Sequence, residues 1–186
     1  MPKPLTAPTL TAPAALLAQA RAVRVAFFDV DGVLTDGGLQ FTEHGESSKR
    51  FHTLDGHGLK LLRQAGITPA VITGRDSAPL RLRLQQLGIT HAVFGTEDKV
   101  PAAQSILEHL QLGWHQAAMM GDDWPDLPVM QRCAVACAPA NAHAENLSVA
   151  DWVTTKAGGQ GAVREWCDVL LLATGHYSAQ LAAYLR

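Results

Sequence analysis

Short, unbroken runs of apolar residues recur along the chain from residue 23 onward, and longer amphipathic stretches separate them. Runs that are apolar at nearly every position, without polar alternation, are typical of strands buried on both faces of a parallel sheet. The pattern therefore predicts strands at 23–28, 68–72, 91–94, 117–120, 134–138 and 152–154.

The stretches between these runs have helical character. They predict helices at 58–65, 79–87, 100–110 and 127–133, with two more at 161–174 and 178–185. Gly66 and Gly88 stand just past the first two of these, where a glycine often ends a helix. This alternation of strands and helices predicts an α/β fold, a Rossmann-like parallel sheet flanked by helices.

The segment 38–53 breaks this rhythm, because its character alternates on each side of a Glu-His-Gly-Glu turn at 43–46. Alternation around a turn predicts a β-hairpin, placed next to the end of the first strand. Residues 1–22 are rich in proline, alanine and threonine, and predict an N-terminal tail with a short helix at 14–21. The predicted organisation is then a tail at 1–22 and one domain at 23–186, whose C-terminal tail starts at about 156.

Composition and charge narrow the classes of function. The formal net charge of −2 provides no basic field for nucleic acid, so we expect no such partner. The three cysteines form neither a C-x-x-C pair nor an even framework, which indicates thiols in a reducing compartment. Apolar stretches are too short for a membrane span, and prolines interrupt the leader-like run at the N-terminus. We expect a cytoplasmic protein without a membrane partner.

Two carboxylates, Asp29 and Asp31, end the first predicted strand. In open α/β sheets, ligands bind beyond the carboxyl ends of the strands, and residues two apart in extended chain face the same way. Two acids beside a phosphate repel it unless a cation intervenes, and oxygen ligands next to a phosphate suit Mg²⁺. A lone Asp-x-Asp pattern also fits a solvated turn, so the later strand ends decide between the two interpretations.

Groups that complement a phosphate follow the next strands. Thr73 and Arg75 come directly after the strand at 68–72 and can donate hydrogen bonds to phosphate oxygens, although Thr73 alone also fits a helix cap. Lys99 stands at the start of a predicted helix, where a cation opposes the helix dipole. That unfavourable placement favours a functional role, although a solvated surface lysine is the more common case for a lone residue of this kind.

Three acids follow the strand at 117–120, namely Asp122, Asp123 and Asp126. A buried strand that ends in three carboxylates is costly without a cation. Together with the earlier groups they form an ordered series of two acids, a hydroxyl, a lysine and three acids at strand or helix edges. This series predicts one metal-dependent phosphate site.

With these motifs in this order, the chain resembles the haloacid dehalogenase superfamily of aspartyl-phosphate phosphatases. The first motif reads Asp-Val-Asp-Gly-Val-Leu-Thr at 29–35, and Thr73, Lys99 and the run Gly-Asp-Asp-Trp-Pro-Asp at 121–126 match the next three. The resemblance implies that Asp29 is the nucleophile and Asp31 the general acid and base. It implies that Thr73 and Lys99 bind the transferring phosphoryl group.

The resemblance also implies Mg²⁺ as the cofactor. Its ligands are then Asp29, the backbone carbonyl of Asp31, and Asp122, with waters completing the octahedron. Asp123 and Asp126 are implied as supporting acids around the metal. Adjacent acids are easily exchanged in such an assignment, so Asp123 remains an alternative to Asp122 as the ligand.

Further segments resemble a subgroup that acts on phosphorylated 2-keto-3-deoxy sugar acids in lipopolysaccharide biosynthesis. They lie at 51–56, 72–75, 87–91 and 158–165. Such a substrate carries a carboxylate, for which Arg75 is our first candidate because a guanidinium fork matches it. The resemblance adds Lys60 and Arg83 as substrate contacts, beside Asp31 and Lys99.

Two positions depart from this subgroup. Gln160 stands in the glycine-rich segment where the subgroup has an arginine, and Leu54 stands where some relatives carry an arginine. Both changes remove a cation near the expected site. The sequence therefore leaves open a sialic-acid-like 9-phosphate as the substrate.

The spacing of the motifs leaves no room for a cap domain. Asp29 and Thr73 are 73 − 29 = 44 positions apart, and Thr73 and Lys99 are 99 − 73 = 26 positions apart. The hairpin is then the only local cover, and we expect a capless fold with a β-hairpin flap. Because an isolated hairpin is marginally stable and its edges are open, we expect a homo-oligomer whose subunits close each other's sites. The resemblance implies that this oligomer is a homotetramer.

Two other functions remain as alternatives. A catalytically silent oligomeric scaffold would keep the fold without the chemistry, but the intact set of acids, hydroxyl and lysine argues against it. A phosphotransferase would pass the phosphoryl group to a sugar instead of water, with the same residues.

Overall fold

The structure is a computed structural model that describes residues 10–185. Within that range, six parallel strands form the central sheet and two antiparallel strands form a separate hairpin. The strands are β1 Val25–Phe28, β2 Gln40–Thr42, β3 Gly45–Ser48, β4 Thr68–Ile72, β5 His91–Val93, β6 Ala117–Met120, β7 Val135–Ala138 and β8 Trp152–Val153. The α-helices are α1 Ala14–Ala20, α2 Thr53–Gln64, α3 Ala78–Leu87, α4 Lys99–Leu110, α5 Leu127–Met130, α6 Ala144–Val149, α7 Ala162–Ala173 and α8 Tyr177–Ala183.

The strand order of the sheet is β5-β4-β1-β6-β7-β8, with β1 between β4 and β6. All four residues of β1 are fully buried, because both faces of the strand are covered. Val25 and Phe27 pack into the core on the side of α4 and α5, while Ala26 and Phe28 pack into the core on the side of α2 and α7. This is the two-sided burial that the unbroken apolar runs predict.

Helix α1 packs on the same core as the sheet. Its Leu16 and Ala20 are buried, and the Gln19 side chain donates a hydrogen bond to the carbonyl of Ala134 at 2.8 Å. The predicted boundary at residue 22 stays a prediction, and residues 1–9 of the predicted tail lie outside the described residues. No helix in the described part of the chain has the length and hydropathy needed to cross a bilayer.

The element bounds confirm most of the predicted pattern. The strands predicted at 68–72 and 117–120 match β4 and β6 residue for residue. Helix α2, however, begins at Thr53 rather than at 58. The apolar pattern missed this first turn because Gly56 and Gly58 carry no apolar side chain. A Cβ on Gly58 would lie 3.1 Å from the Cys167 side chain, so glycine permits the close packing of α2 on α7.

The predicted helix at 127–133 was too long. The structure has a short 3-10 helix at Trp124–Asp126, followed by α5, which ends at Met130. Beyond Met130, the N–H groups of Arg132 and Cys133 both donate to the carbonyl of Val129.

The predicted hairpin is confirmed as β2 and β3, with Glu43 and His44 in its turn. All three residues of β2 are exposed, and the large apolar side chains of Leu39 and Phe41 face solvent. The described residues contain no cap domain, which confirms the capless fold that the motif spacing predicts. The hairpin instead extends from the loop that follows β1, next to the carboxyl edge of the sheet.

Candidate active site

The polar residues that follow β1, β4 and β6 meet at the carboxyl edge of the sheet. The chain moves outward from β1 to β5 and then crosses back to β6, so the edge near β1 is the topological switch point where α/β folds bind ligands. A pocket of about 290 Å³ opens there. Its lining includes all the predicted catalytic and metal-binding residues: Asp29, Asp31, Thr73, Lys99 and Asp122.

Lys99 is the buried centre of the pocket. Its side chain is 4% exposed, and its Nζ lies 2.6 Å from Asp29 Oδ1 and 2.6 Å from Asp126 Oδ1. Burial alone lowers the pKa of a lysine, but the charges of Asp29 and Asp126 outweigh burial and raise the pKa of Lys99 above its usual value. Lys99 therefore remains an ammonium ion between two carboxylates.

Asp126 shapes the loop that carries the other acids. Its Oδ2 accepts hydrogen bonds from the backbone N–H groups of Asp122 at 3.0 Å and Asp123 at 3.3 Å. Gly121 permits this arrangement, because a Cβ there would lie 2.3 Å from the Asp126 Cβ. Asp126 thus holds the loop that carries Asp122 and Asp123 from behind, and its implied role around a metal stays a prediction.

The adjacent acids Asp122 and Asp123 have different surroundings. The Asp123 side chain accepts the N–H of Trp124 at 2.8 Å and caps the 3-10 helix, and the residue is exposed. The Oδ1 of Asp122 is buried and has no hydrogen-bond partner within residues 10–185. A Cβ on Gly32, whose φ is +97°, would lie 2.0 Å from Asp122 Oδ2, so only glycine fits there. The geometry favours Asp122 over Asp123 as a ligand.

The carboxylates Asp29, Asp122 and Asp126 each offer an oxygen within 4.8 Å of the others. Burial, followed by the charge of Asp126, raises the pKa of Asp29 to about 7, although Lys99 opposes the shift. Burial, followed by the charges of Asp29 and Asp126, raises the pKa of Asp122 to about 8. Three carboxylates against one ammonium leave an excess of two negative charges when all are ionised. This donor set fits a hard divalent cation.

Thr73 and Arg75 form the wall of the pocket at the end of β4. Thr73 is buried, and its Oγ1 accepts the backbone N–H of Arg75 at 3.2 Å. The Arg75 side chain is partly exposed, and its Nε lies 3.5 Å from Glu46 Oε2 and 3.9 Å from Asp31 Oδ2. Its Nε makes no hydrogen bond within the described residues, so the guanidinium is held only loosely.

Strand β3 and the two residues after it (45–50) are called the hairpin arm below. Two of its charged residues, Glu46 and Lys49, reach the pocket region, and the sequence predicted no role for either. Lys49 Nζ lies 2.5 Å from Asp31 Oδ1 and 2.6 Å from Glu46 Oε1. Charged residues flanking an exposed strand usually protect a sheet edge, so the pattern gave no functional signal. Only the folding of the hairpin back toward Asp31 brings these charges together.

The structure does not bring Lys60 or Arg83 to this pocket. Lys60 is exposed on α2 and lines a cleft between α2 and α3 that contains no carboxylate. The Arg83 guanidinium lies over the Phe51 ring at 5.9 Å, beside a small cavity next to Asp55. The predicted substrate contacts of these two residues are therefore not formed within one chain. Both residues lie on helices away from the loop after β6 that carries Asp122 and Asp126.

The glycine-rich segment packs directly on the loop that follows β1. The Gly159 N–H donates to the carbonyl of Val33 at 3.0 Å, and the Gly158 N–H donates to Asn141 Oδ1 at 2.8 Å. Gln160 is exposed, as is Leu54, and neither lines the pocket. The two departures from the subgroup thus lie on the surface of the single chain.

Comparisons with known proteins agree with this geometry. The profile of the haloacid dehalogenase-like hydrolase family matches residues 94–165. The 3-deoxy-D-manno-octulosonate 8-phosphate phosphatase KdsC of Escherichia coli K12 is 42% identical over 160 residues, which are 86% of this chain and 85% of that protein.

Solved structures of similar proteins share the fold. The 3-deoxy-D-manno-octulosonate 8-phosphate phosphatase from Moraxella catarrhalis, in complex with a magnesium ion, a phosphate ion and KDO, has a TM-score of 0.88 at 36% identity and covers 91% of this chain and 98% of that one. The corresponding phosphatase from Yersinia pestis has a TM-score of 0.86 at 40% identity, covering 89% of both chains. The chain therefore belongs to the family of 3-deoxy-D-manno-octulosonate 8-phosphate phosphatases, within the haloacid dehalogenase-like hydrolases.

Proposed function

We propose that this chain is a Mg²⁺-dependent phosphatase that hydrolyses 3-deoxy-D-manno-octulosonate 8-phosphate to the free sugar acid and phosphate, in lipopolysaccharide biosynthesis. The observation that carries the proposal is the buried Lys99, which joins Asp29 to Asp126 beside an Asp122 oxygen that has no hydrogen-bond partner among residues 10–185. The substrate named for the relatives supports the choice of sugar acid.

Asp29 is the nucleophile in this proposal. One of its oxygens forms a bond to phosphorus while the bond from phosphorus to the sugar oxygen breaks, which leaves an aspartyl-phosphate. The hydrogen bond from Lys99 to Oδ1 fixes the carboxylate for this attack. Lys99 and the Thr73 hydroxyl bind phosphoryl oxygens and offset the charge of the transferring group.

Asp31 moves the protons. It donates a proton to the departing sugar oxygen, and then accepts one from the water that attacks phosphorus and releases Asp29. Asp31 lines the same pocket as Asp29, two positions further along the loop.

Asp29, the backbone carbonyl of Asp31, and Asp122 would hold Mg²⁺, with Asp126 and Asp123 supporting the loop. The buried Oδ1 of Asp122, which has no partner in the described part of the chain, and the excess negative charge of the cluster fit such an ion. When bound, Mg²⁺ supplies charge stabilisation for the phosphoryl oxygens.

Arg75 is proposed to bind the carboxylate of the sugar acid. Its guanidinium is partly exposed at the pocket, lies over the Phe41 ring at 5.8 Å and makes long contacts to Glu46 and Asp31. A carboxylate can therefore form the bidentate contact that these acids do not make.

A phosphate-release screen over phosphorylated sugars and sugar acids, with and without EDTA, tests the function. We expect selective, EDTA-sensitive turnover of the octulosonate 8-phosphate by the wild type. The Asp29→Asn variant should turn it over at less than about a thousandth of the wild-type rate. Preferred turnover of a sialic-acid-like 9-phosphate would change the substrate but keep the chemistry. Absence of release from any ester would favour the scaffold function.

We further propose a cytoplasmic homotetramer. The exposed Leu39 and Phe41 and the open edges of the two-stranded hairpin favour contacts between hairpins of neighbouring subunits. Lys60 and Arg83 can contact a substrate only at the site of another subunit. Cys133, Cys137 and Cys167 are free thiols, which suits a reducing compartment. The test is light scattering together with an activity assay at micromolar protein concentration. A monomeric mass with full phosphatase activity would contradict the tetramer.

A further inference from the structure

A buried lysine joins the hairpin to the pocket. The Lys49 side chain is 1% exposed, and its ammonium contacts two carboxylates, Asp31 Oδ1 at 2.5 Å and Glu46 Oε1 at 2.6 Å. An ammonium ion so deeply buried is costly unless it is paired, and here Glu46 supplies an opposite charge while Asp31 accepts a hydrogen bond. Lys49 directly follows β3, so this contact attaches the end of the hairpin to the loop that carries Asp31.

The same contact leaves the two oxygens of Asp31 in different situations. Oδ1 is held by Lys49, whereas Oδ2 is buried and has no hydrogen-bond partner within residues 10–185. Arg75 Nε lies 3.9 Å from it, beyond hydrogen-bond distance. Asp31 lines the pocket, and Oδ2 is its oxygen that no described residue engages in a hydrogen bond.

We propose that Lys49 is a positioning residue for the phosphatase reaction. It holds Asp31 through Oδ1 and so presents Oδ2 to the leaving oxygen, while Glu46 shares the ammonium and keeps it in place. The inference rests on the proposed function, since it acts through Asp31 as the group that protonates the leaving oxygen. The proton on Asp31 Oδ2 passes to the ester oxygen as the bond from that oxygen to phosphorus breaks; Asp31 is left as a carboxylate held by Lys49, which keeps its own protons.

Arg50 provides a matched control on the same hairpin arm. Its guanidinium pairs with Asp36 at 2.6 Å, so it also links the hairpin to the loop after β1. Its side chain is 65% exposed, however, and neither partner lines the pocket. Exposed ion pairs contribute little to stability. Arg50→Met therefore removes a similar tether without touching Asp31.

The test is a series of aryl phosphates whose leaving groups differ in acidity, assayed with Mg²⁺ on the wild type, Lys49→Met, Arg50→Met and Asp31→Asn. kcat/KM reports the steps up to release of the leaving group, and a good leaving group departs without protonation. We expect Lys49→Met to lower kcat/KM for phenyl phosphate by about 100-fold, but for p-nitrophenyl phosphate by less than about 10-fold, in line with the size of acid catalysis. Its plot of log kcat/KM against leaving-group pKa then becomes steeper, like that of Asp31→Asn, while Arg50→Met keeps the wild-type slope.

A uniform loss on all esters by Lys49→Met, beside a steeper slope for Asp31→Asn, would overturn the role of Lys49 and leave the proposed function standing. An unchanged slope for Asp31→Asn would remove Asp31 as the acid, and the inference about Lys49 with it. If Lys49→Met does not fold by circular dichroism, the double variant Lys49→Met/Glu46→Gln removes one charge of each sign. It is expected to fold and to show the same steeper slope; a wild-type slope in that variant contradicts the proposal.

Discussion

A methyl group at Gly158 would occupy space that belongs to the backbone of the active-site loop. A Cβ built there lies 1.6 Å from the carbonyl oxygen of Gly32, 2.4 Å from its carbonyl carbon and 3.0 Å from the carbonyl oxygen of Thr35. These are backbone atoms, so no side chain can rotate away to relieve the contact. Gly158→Ala must therefore push the glycine-rich segment and the loop after β1 apart.

The size of this displacement follows from the contact distances. Real Cβ atoms essentially never approach another heavy atom within 3.0 Å, so the two segments must separate by at least 3.0 − 1.6 = 1.4 Å. The same loop carries Asp29 and Asp31, and Gly32 lies against the Asp122 carboxylate. Overpacking of this kind costs about 1–3 kcal/mol of folding free energy. A misplacement of about 1 Å at reacting groups can lower turnover by roughly 100-fold.

Urea denaturation measures the first effect, and phosphate release at saturating Mg²⁺ and substrate measures the second. Gly38→Ala is the matched control, because its added Cβ meets only the exposed Asp36 side chain, at 3.1 Å from Oδ1. We expect the control to keep wild-type kcat and stability. If Gly158→Ala also kept wild-type kcat and stability, the glycine-rich segment would not pack against the loop in the working enzyme.

Three further outcomes are expected. Arg75→Ala should raise KM for the sugar-acid phosphate roughly 30-fold, because the lost contact is worth about 2 kcal/mol, and should change KM little for a carboxylate-free ester. Equal increases in KM for both substrates would mean that Arg75 serves the phosphate or the fold. Asp122→Ala should abolish Mg²⁺ binding in calorimetry, while Asp123→Ala should retain it; the reverse result would exchange the two acids. Because burial raises the pKa of Asp29 to about 7 and of Asp122 to about 8 in the metal-free protein, ionising them costs stability as pH rises from about 4 to 8. The gain in Tm on adding Mg²⁺ should therefore be larger at pH 8.5 than at pH 6, and a gain that shrinks over this range would contradict the ligand assignment.

The sheet and the residues at its carboxyl edge could be predicted from the sequence because both depend on local order. An unbroken apolar run such as β6 is recognisable without knowing its neighbours, and the residue that follows it must lie at the strand end. Parallel pairing then brings Asp29, Thr73 and Asp122 to one edge, whatever the detailed packing. The alternation of strands and helices was therefore sufficient to place these three.

Contacts between segments far apart in sequence could not be predicted in this way. The pairing of Lys49 with Asp31 depends on the direction in which the hairpin folds back, and the alternating pattern of 38–53 has no information on that direction. Helix faces were a similar difficulty. Lys60 lies on a solvent-facing side of α2, although residues earlier in the same helix are buried.

The absence of a cap domain within residues 10–185 explains why the short segments around the pocket are so tightly constrained. A cap would exclude water by its bulk, but here the loop after β1 is held by a hairpin on one side and by a glycine-rich segment on the other. The hairpin uses a buried ion pair, which has strict geometry, and the glycine-rich segment uses backbone contacts that tolerate no side chain. Both kinds of contact fix position more than they add stability. Positional control is what in-line phosphoryl transfer requires, because its catalysis depends chiefly on placing the nucleophile, the acid and the compensating charges. This fold can therefore hold these groups in place with a hairpin of seven strand residues, provided that the contacts to Asp31 and Gly32 are kept.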